Sequence, residues 1–319
     1  MADLAPRRSG AIGYGASALG LSDSQFKLLR NLIAERTGVH FSDDRRDQLA
    51  DKLSELMAAL GMTSHLDYYY LLRYDAEAER HWADLTDRLA VPETYFWRQP
   101  EQILALVNVI APRHFERSPG APLRIWSAAC CSGEEPISLA IALSEAGFLH
   151  QMPIEIVASD ASAEMVALAR RGVYSERSFR ALPADLRERY FVPEGSGWRV
   201  DRRVHESIRW TTANLVDPVA VAPLARADVI YCRNVFIYFA DDAIERVARQ
   251  FAAGMADDGH LFLGASESLS RLDTDFELNE VAGAFVYVKA TSNRALHGDD
   301  AAGVARGHGR GGEWNGGSG

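Results

Sequence analysis

LRIWSAACCSGEEP, residues 123–136, is the stretch whose reading decides the fold. A short apolar run passes through small residues and one glycine into a helical pattern that continues to 146. The same grammar repeats downstream. Apolar runs stand at IEIVAS (154–159), SIRWTT (207–212), DVIYC (228–232), HLFLGA (260–265) and AFVYVK (284–289), with helical patterns at 162–171 and 241–254. Strands that are apolar nearly throughout, alternating with helices, predict an α/β protein whose parallel sheet is covered on both faces. Residues 175–206 interrupt the alternation. They hold a helical pattern at 184–191 and the hairpin-turn sequence EGSG at 194–197, so a small inserted subdomain is expected there.

Upstream, residues 22–90 read as helices. Ser22 or Asp23 can cap a helix carrying Phe26, Leu29 and Ile33, and Gly38 ends it. Ser42 can cap a second helix, in which Leu49, Leu53, Leu56 and Leu60 share a face and Gly61 is the stop. Trp82, Leu85 and Leu89 repeat the pattern. VPETYFWR (91–98) breaks the rhythm at Pro92 and reads as a linker, which leads into a helix with Ile103, Leu106 and Ile110. The organisation expected is a flexible tail (1–21), a helical domain (22–90), a linker and helix (91–122), an α/β domain (123–290) and a glycine-rich disordered tail (291–319).

Composition narrows the function classes. With 319 residues, 47% hydrophobic and 24% charged, the chain can bury a sizeable core. No apolar run approaches the ~20 residues of a membrane span. A net charge of −10 argues against general affinity for nucleic acid or for anionic membrane. Cys130 and Cys131 are adjacent and Cys232 is remote, which is neither a disulfide framework nor a zinc spacing; free thiols fit a cytoplasmic protein.

Ligands of an open parallel sheet bind at the carboxyl ends of the strands, and three such ends carry polar residues. At SAACCSGEEP the GxGxxG and GxxxxGK[ST] patterns are absent, which disfavours a dehydrogenase, and Glu134 and Glu135 open the helix instead. Two acids there would repel a phosphate and attract a cation. They also suit the helix dipole, and spacing alone leaves both readings open. In IVASD, Asp160 is placed to accept from two ribose hydroxyls; the alternative is that Asp160 or Ser162 caps the next helix. In YCRNVFIYF, Arg233, Asn234 and Tyr238 interrupt a hydrophobic run.

TYFWR (94–98), IWSAACCSGEEPISLA, ASD (158–160), Asn214-Leu215, DVIYCRNVFIYF and LFLGASESL, in this order and spacing, resemble the CheR family of chemotaxis protein-glutamate methyltransferases. The resemblance spans about 22 to 290. It implies an all-α N-terminal domain and a Rossmann-like S-adenosylmethionine-dependent methyltransferase domain with a small β insertion. By match, Thr94 and Arg98 reach the cofactor site, Glu135 contacts the cofactor, Asp160 holds the ribose, and Asn214 and Leu215 flank the adenine. Arg233, Asn234 and Tyr238 surround the sulfonium and the incoming substrate, and Arg98 and Tyr238 are the candidate catalytic pair. The family often has Asn where this chain has Pro92, so one side-chain contact is lost. The acceptor carboxylate is already ionised at neutral pH, free Glu titrating near ~4.3, so neither a general base nor a metal is required.

The resemblance also implies a partner, the cytoplasmic helical region of a chemoreceptor, approached by a basic N-terminal helix; the enzyme is expected to act as a monomer. The matching segment, 42–60, has Arg45, Arg46 and Lys52 against five acids. Its charges read as a solvated face. Two alternatives stand beside this one: the same chemistry on a different signalling protein, and a non-catalytic module that binds S-adenosylmethionine.

Overall fold

The structure, a computed structural model, describes residues 20–290. The expectations for the two tails lie outside the described residues, except at Gly20 and Leu21, and Leu21 is buried in the core of the helical part. Four helices build that part: α1 (Asp23–Thr37), α2 (Arg46–Ala59), α3 (His65–Tyr74) and α4 (Ala78–Leu89). Ser22 caps α1 reciprocally with Gln25, each side chain accepting from the other's backbone N–H. Gly38 closes α1 in the left-handed region, φ +79°, and a Cβ there would lie 2.6 Å from the Phe239 ring. Backbone conformation and the close approach of a distant segment both demand glycine.

Two expectations for the second helix are corrected. Ser42 precedes a single 3₁₀ turn, Asp43–Arg45, and its side chain makes no capping bond. The core-facing row is Leu49, Leu53 and Met57, while Leu60 is 44% exposed. Helix α2 ends at Ala59, so Leu60 lies past the last turn and cannot extend the buried stripe.

Helix α5 (Pro100–Ala105) runs through a π turn (Leu106–Ile110) into α6 (Ala111–Arg117), with Ile103, Leu106 and Ile110 buried as their spacing predicts. The α/β part then follows as β1 (Leu123–Ala128), α7 (Glu134–Glu145), β2 (Ile154–Asp160) and α8 (Ala163–Arg171). The inserted piece comprises β3 (Val173–Tyr174), a 3₁₀ turn (Glu176–Phe179), α9 (Ala184–Tyr190), β4 (Phe191–Glu194), β5 (Gly197–Val200) and α10 (Arg202–Glu206). The chain returns through β6 (Ile208–Thr212), α11 (Pro218–Leu224), β7 (Val229–Tyr231), α12 (Asp241–Gly254), β8 (His260–Phe262), β9 (Phe276–Val281) and β10 (Ala284–Lys289).

The main sheet has the order β6-β2-β1-β7-β8-β10-β9. Its first five strands are parallel, as expected, but β10 runs antiparallel to β8 and to β9. Neither β9 nor α11 is foreseen by the sequence pattern. In FELNEV only Phe276 is buried, so an edge strand hides its alternation, and the seven-residue α11 contains two prolines. From β1 the chain first builds outward through β2 and β6, then resumes on the other side with β7. The crevice that positions a ligand opens at that reversal, above β1 and β7. The insertion forms its own antiparallel sheet, β3-β5-β4.

Candidate active site

A cavity with about 1370 Å³ of empty space, counting its open mouth, lies at the carboxyl ends of the parallel strands, and the helical part forms its other wall. All nine residues singled out in the sequence line it: Thr94, Arg98, Glu135, Asp160, Asn214, Leu215, Arg233, Asn234 and Tyr238.

The loop after β1 curls tightly. Ala129, Cys131 and Gly133 have φ of +60°, +50° and +97°. This turn directs the Cys131 N–H to Asp160 Oδ2, 2.8 Å away, while Oδ1 accepts from the Ser162 N–H at 2.9 Å. The cap of α8 is Ser162, whose hydroxyl accepts from Met165 N–H, so Asp160 is not the capping residue. Burial, helped by the nearby Asp87 charge, pushes the Asp160 carboxyl up, against the pull of the surrounding backbone N–H groups. One donor per oxygen leaves each with a free lone pair, which suits a vicinal diol. Burial and the neighbouring Asp160 push the Cys131 thiol up to about 12, so it is no nucleophile.

Of the two acids that open α7, only Glu135 reaches the cavity. Its Oε1 accepts from Ser127 Oγ at 2.6 Å and its Oε2 pairs with Arg233 Nε at 2.6 Å. The pair is nearly dry, with side-chain exposures of 12% and 3%. Arg233 Nη1 also donates to the Arg98 carbonyl, 2.8 Å, and to Gln102 Oε1, 3.1 Å. Arg233 is therefore committed inside the protein, where it fixes Glu135 and the backbone of Arg98. Glu134 faces away from the cavity, buried, accepting from Ser132 and Ser178; burial pushes its carboxyl up.

Arg98 has no carboxylate partner among the described residues. It donates to the Glu93 carbonyl at 3.2 Å and lies over the Tyr95 ring. Thr94 is half-buried at the linker end of the cavity. Tyr238 ends a 3₁₀ turn, Phe236–Tyr238, and its hydroxyl makes no hydrogen bond to the described residues. Burial pushes this phenol up, opposed by Arg45 and Arg98, so it is a neutral donor at physiological pH. Leu215 is buried beneath the cavity. Asn214 is partly committed elsewhere: its amide donates to the Arg36 carbonyl at the end of α1, 2.7 Å, and its Oδ1 accepts from Val216 N–H.

Sequence reasoning missed Glu267, Asp87 and Gln48, and misplaced Arg45 and Lys52. Glu267, within ASES, accepts from the N–H groups of Asn234 (2.7 Å), Phe236 (2.7 Å), Ile237 (3.3 Å) and Gly264 (2.6 Å). It holds Asn234 in its left-handed conformation, φ +61°; an acid just past a strand end was the available signal. Asp87 of α4 accepts from Ser162 Oγ at 2.6 Å and docks the helical part beside Asp160. Arg45, Gln48 and Lys52, at positions i, i+3 and i+7, also line the cavity, and Lys52 Nζ donates to the Arg88 carbonyl. The solvated-face reading therefore fails for Lys52. The five acids of this segment, Asp43, Asp44, Asp47, Asp51 and Glu55, are exposed, and two of them pair with arginines outside it, Asp43 with Arg30 and Glu55 with Arg88.

The site thus places Asp160 and Glu135 deep, and Arg98, Arg45 and Lys52 toward the helical wall. The depth suits a polar cation bearing hydroxyls, and the opposite wall suits an anion.

Comparison with known proteins agrees in outline. Residues 92–284 match the family described as CheR methyltransferase, SAM binding domain, and residues 24–90 match CheR methyltransferase, all-alpha domain. Chemotaxis protein methyltransferase 2 of Vibrio cholerae is 33% identical over 84% of this chain and 94% of its own length. The chemotaxis protein methyltransferase of Escherichia coli is 32% identical over 82% of this chain and 90% of its own. A probable biofilm formation methyltransferase, WspC of Pseudomonas putida, is 30% identical over 85% of this chain and 62% of its own.

Proposed function

The chain belongs to the CheR methyltransferase family, and from that membership we propose that it methylates glutamate carboxylates on the cytoplasmic helical region of a chemoreceptor, giving methyl esters. It acts in the cytoplasm, as a monomer. In this reading the helical part, 22–90, and the linker present the acceptor to the α/β part, 123–290. Among the described residues no helix is long and apolar enough to cross a membrane.

The observation that carries the reading is the unpaired Arg98 guanidinium and the unbonded Tyr238 hydroxyl on the same cavity as the buried acids Asp160 and Glu135. The residues fit S-adenosylmethionine, because Asp160 retains acceptor capacity for a ribose diol and Glu135 sits in the depth with its geometry fixed by Arg233 and Ser127. When bound, S-adenosylmethionine supplies a methyl group on a sulfonium, and its transfer to a carboxylate oxygen neutralises both charges with no proton to move. Arg98 holds the acceptor carboxylate by paired charge-assisted hydrogen bonds, Tyr238 donates to it, and the helical wall excludes water. Thr94, Asn214, Leu215 and Asn234 shape the cofactor side of the cavity. A second reading keeps the chemistry and changes the acceptor. The relative named for biofilm formation and the exposed acids of α2 favour a signalling protein of another pathway.

The test is transfer of label from tritiated S-adenosylmethionine to receptor-containing membranes, read as base-labile counts. Arg98→Ala is expected to lower turnover about 30- to 100-fold and Tyr238→Phe about tenfold, the loss of a charge-assisted pair and of one hydrogen bond. Asp160→Ala is expected to weaken cofactor binding in calorimetry. Wild-type turnover in both of the first two variants removes them from the site, and label on a protein other than a receptor selects the second reading.

A further inference from the structure

The insertion touches the linker where Arg98 leaves it. Phe96 is fully buried in the insertion's aromatic core, its ring 4.8, 5.1 and 4.9 Å from those of Tyr174, Phe179 and Phe191. Its N–H donates to the Ser178 carbonyl at 2.9 Å. Two residues past Ser178, the Arg180 guanidinium pairs with Glu93 at 2.5 Å and lies 3.7 Å from the centre of the Tyr95 ring. Arg98 lies over the same ring at 5.3 Å and donates to the Glu93 carbonyl. Arg180 itself does not line the cavity, whereas Glu93, Tyr95 and Arg98 do.

We propose that Arg180 is a positioning residue for Arg98. From the insertion it clamps the Tyr95 ring and, through its carboxylate, Glu93; the ring and the Glu93 backbone carbonyl then set the direction in which the Arg98 guanidinium enters the cavity. The proposal rests on the reading of Arg98 as the group that holds the acceptor carboxylate. Three physical points support it. A free arginine side chain samples many rotamers, so an arginine that must meet a carboxylate by two parallel hydrogen bonds gains from being oriented beforehand. Trp97 and Gln99, on either side of Arg98, both have left-handed backbones, φ +64° and +54°; such conformations persist only where the surroundings over-determine them. Finally, two guanidinium groups on one ring repel each other, and the Glu93 carboxylate balances that charge. The insertion thus reaches the reacting centre through the linker.

The experiment measures turnover of the full chain with tritiated S-adenosylmethionine and a soluble cytoplasmic fragment of a chemoreceptor, together with calorimetric binding of the cofactor. Arg180→Ala is expected to lower kcat about five- to twentyfold, the loss of orientation of one rotamer-rich side chain, while cofactor affinity changes less than about twofold. Arg180→Lys keeps the ion pair without the planar stack and is expected to fall between. Glu93→Gln, at the exposed end of the pair, repeats the effect in milder form if Arg180→Ala folds poorly. In an Arg98→Ala background, Arg180→Ala is expected to cost almost nothing further, which a merely structural role would not produce. Wild-type kcat in Arg180→Ala beside an inactive Arg98→Ala overturns the positioning role alone, as does an equal loss in both backgrounds. Wild-type kcat in Arg98→Ala overturns the reading of Arg98 and the proposal with it.

Discussion

Removing the Glu135 carboxylate isolates what the buried ion pair does. Glu135→Ala leaves Arg233, whose side chain is 3% exposed, with the acceptors of its Nη1 but none for its Nε. Breaking one side of a buried pair costs about 3–5 kcal/mol, because a charge stays behind in a medium that solvates it poorly. The remaining Arg98 carbonyl and Gln102 bonds place this case at the lower end, about 3 kcal/mol. With an unfolding entropy of about 2.1 cal/mol/K per residue, a chain of this size shifts Tm by roughly 1.5–2 °C per kcal/mol, so a drop of about 4–6 °C is expected. Glu135→Gln retains an acceptor for Arg233 or Ser127 and is expected to lose less than half of that. Replacing both partners, as Glu135→Leu with Arg233→Met, removes the stranded charge and is expected to recover part of the Tm, but not the cofactor affinity if Glu135 contacts the cofactor as proposed. Thermal unfolding by circular dichroism and calorimetric titration of S-adenosylmethionine read the two effects separately. A Tm within 2 °C of wild type in Glu135→Ala would refute the claim that the pair is dry and structurally committed.

Two further outcomes are expected. Glu134→Gln should change the pH dependence of stability: burial raises the folded carboxyl above its unfolded value, so between the two values the native state holds more protons and wild-type stability falls as pH rises. The Gln variant lacks that loss, so its Tm advantage over wild type should grow from pH 4 upward and then level off, whereas a constant difference refutes the assignment. Gly133→Ala should destabilise by about 1–3 kcal/mol, since φ is +97° and the added methyl would lie 2.9 Å from the Trp210 ring; a thermal melt matching wild type would show that the loop relaxes freely.

The elements with a strong apolar pattern were legible from sequence, because that pattern survives into the structure: β1, β2, β7, α7 and α12 all fall where it predicts. The strand β9 was not, since an edge strand with one buried residue has no pattern to read. In the site, residues at strand ends could be singled out because sheet topology gathers strand ends. Contacts across long chain separations could not: Asn214 with the Arg36 carbonyl, Asp87 with Ser162, and Glu267 with the N–H groups of Asn234, Phe236 and Ile237. Each is a side chain meeting a partner whose position only the fold decides. The charge on α2 is a different failure. A net value of −2 for residues 42–60 averages over faces, and the rotation of the helix depends on which apolar row packs. Once Leu49, Leu53 and Met57 face the core, Arg45, Gln48 and Lys52 face the cavity.

That sidedness matters for the proposed reaction more than the total of −10 does. A site of one sign would attract one reactant and repel the other, because donor and acceptor carry opposite charges. Here Arg233 is paired with Glu135, so Asp160 is the acid in the depth without an ion-pair partner, while Arg98, Arg45 and Lys52 stand apart from it on the linker and the helical wall. Both attractions vanish together once methyl transfer has produced a neutral ester and a neutral thioether. Electrostatic attraction to the cavity is then stronger for the reactants than for the products, so the same arrangement that gathers the reactants favours product release. It also explains why the cations belong to the linker and the helical part and not to the sheet: they must face the acceptor without lying against the deep acids, which would otherwise pair with them as Glu135 pairs with Arg233.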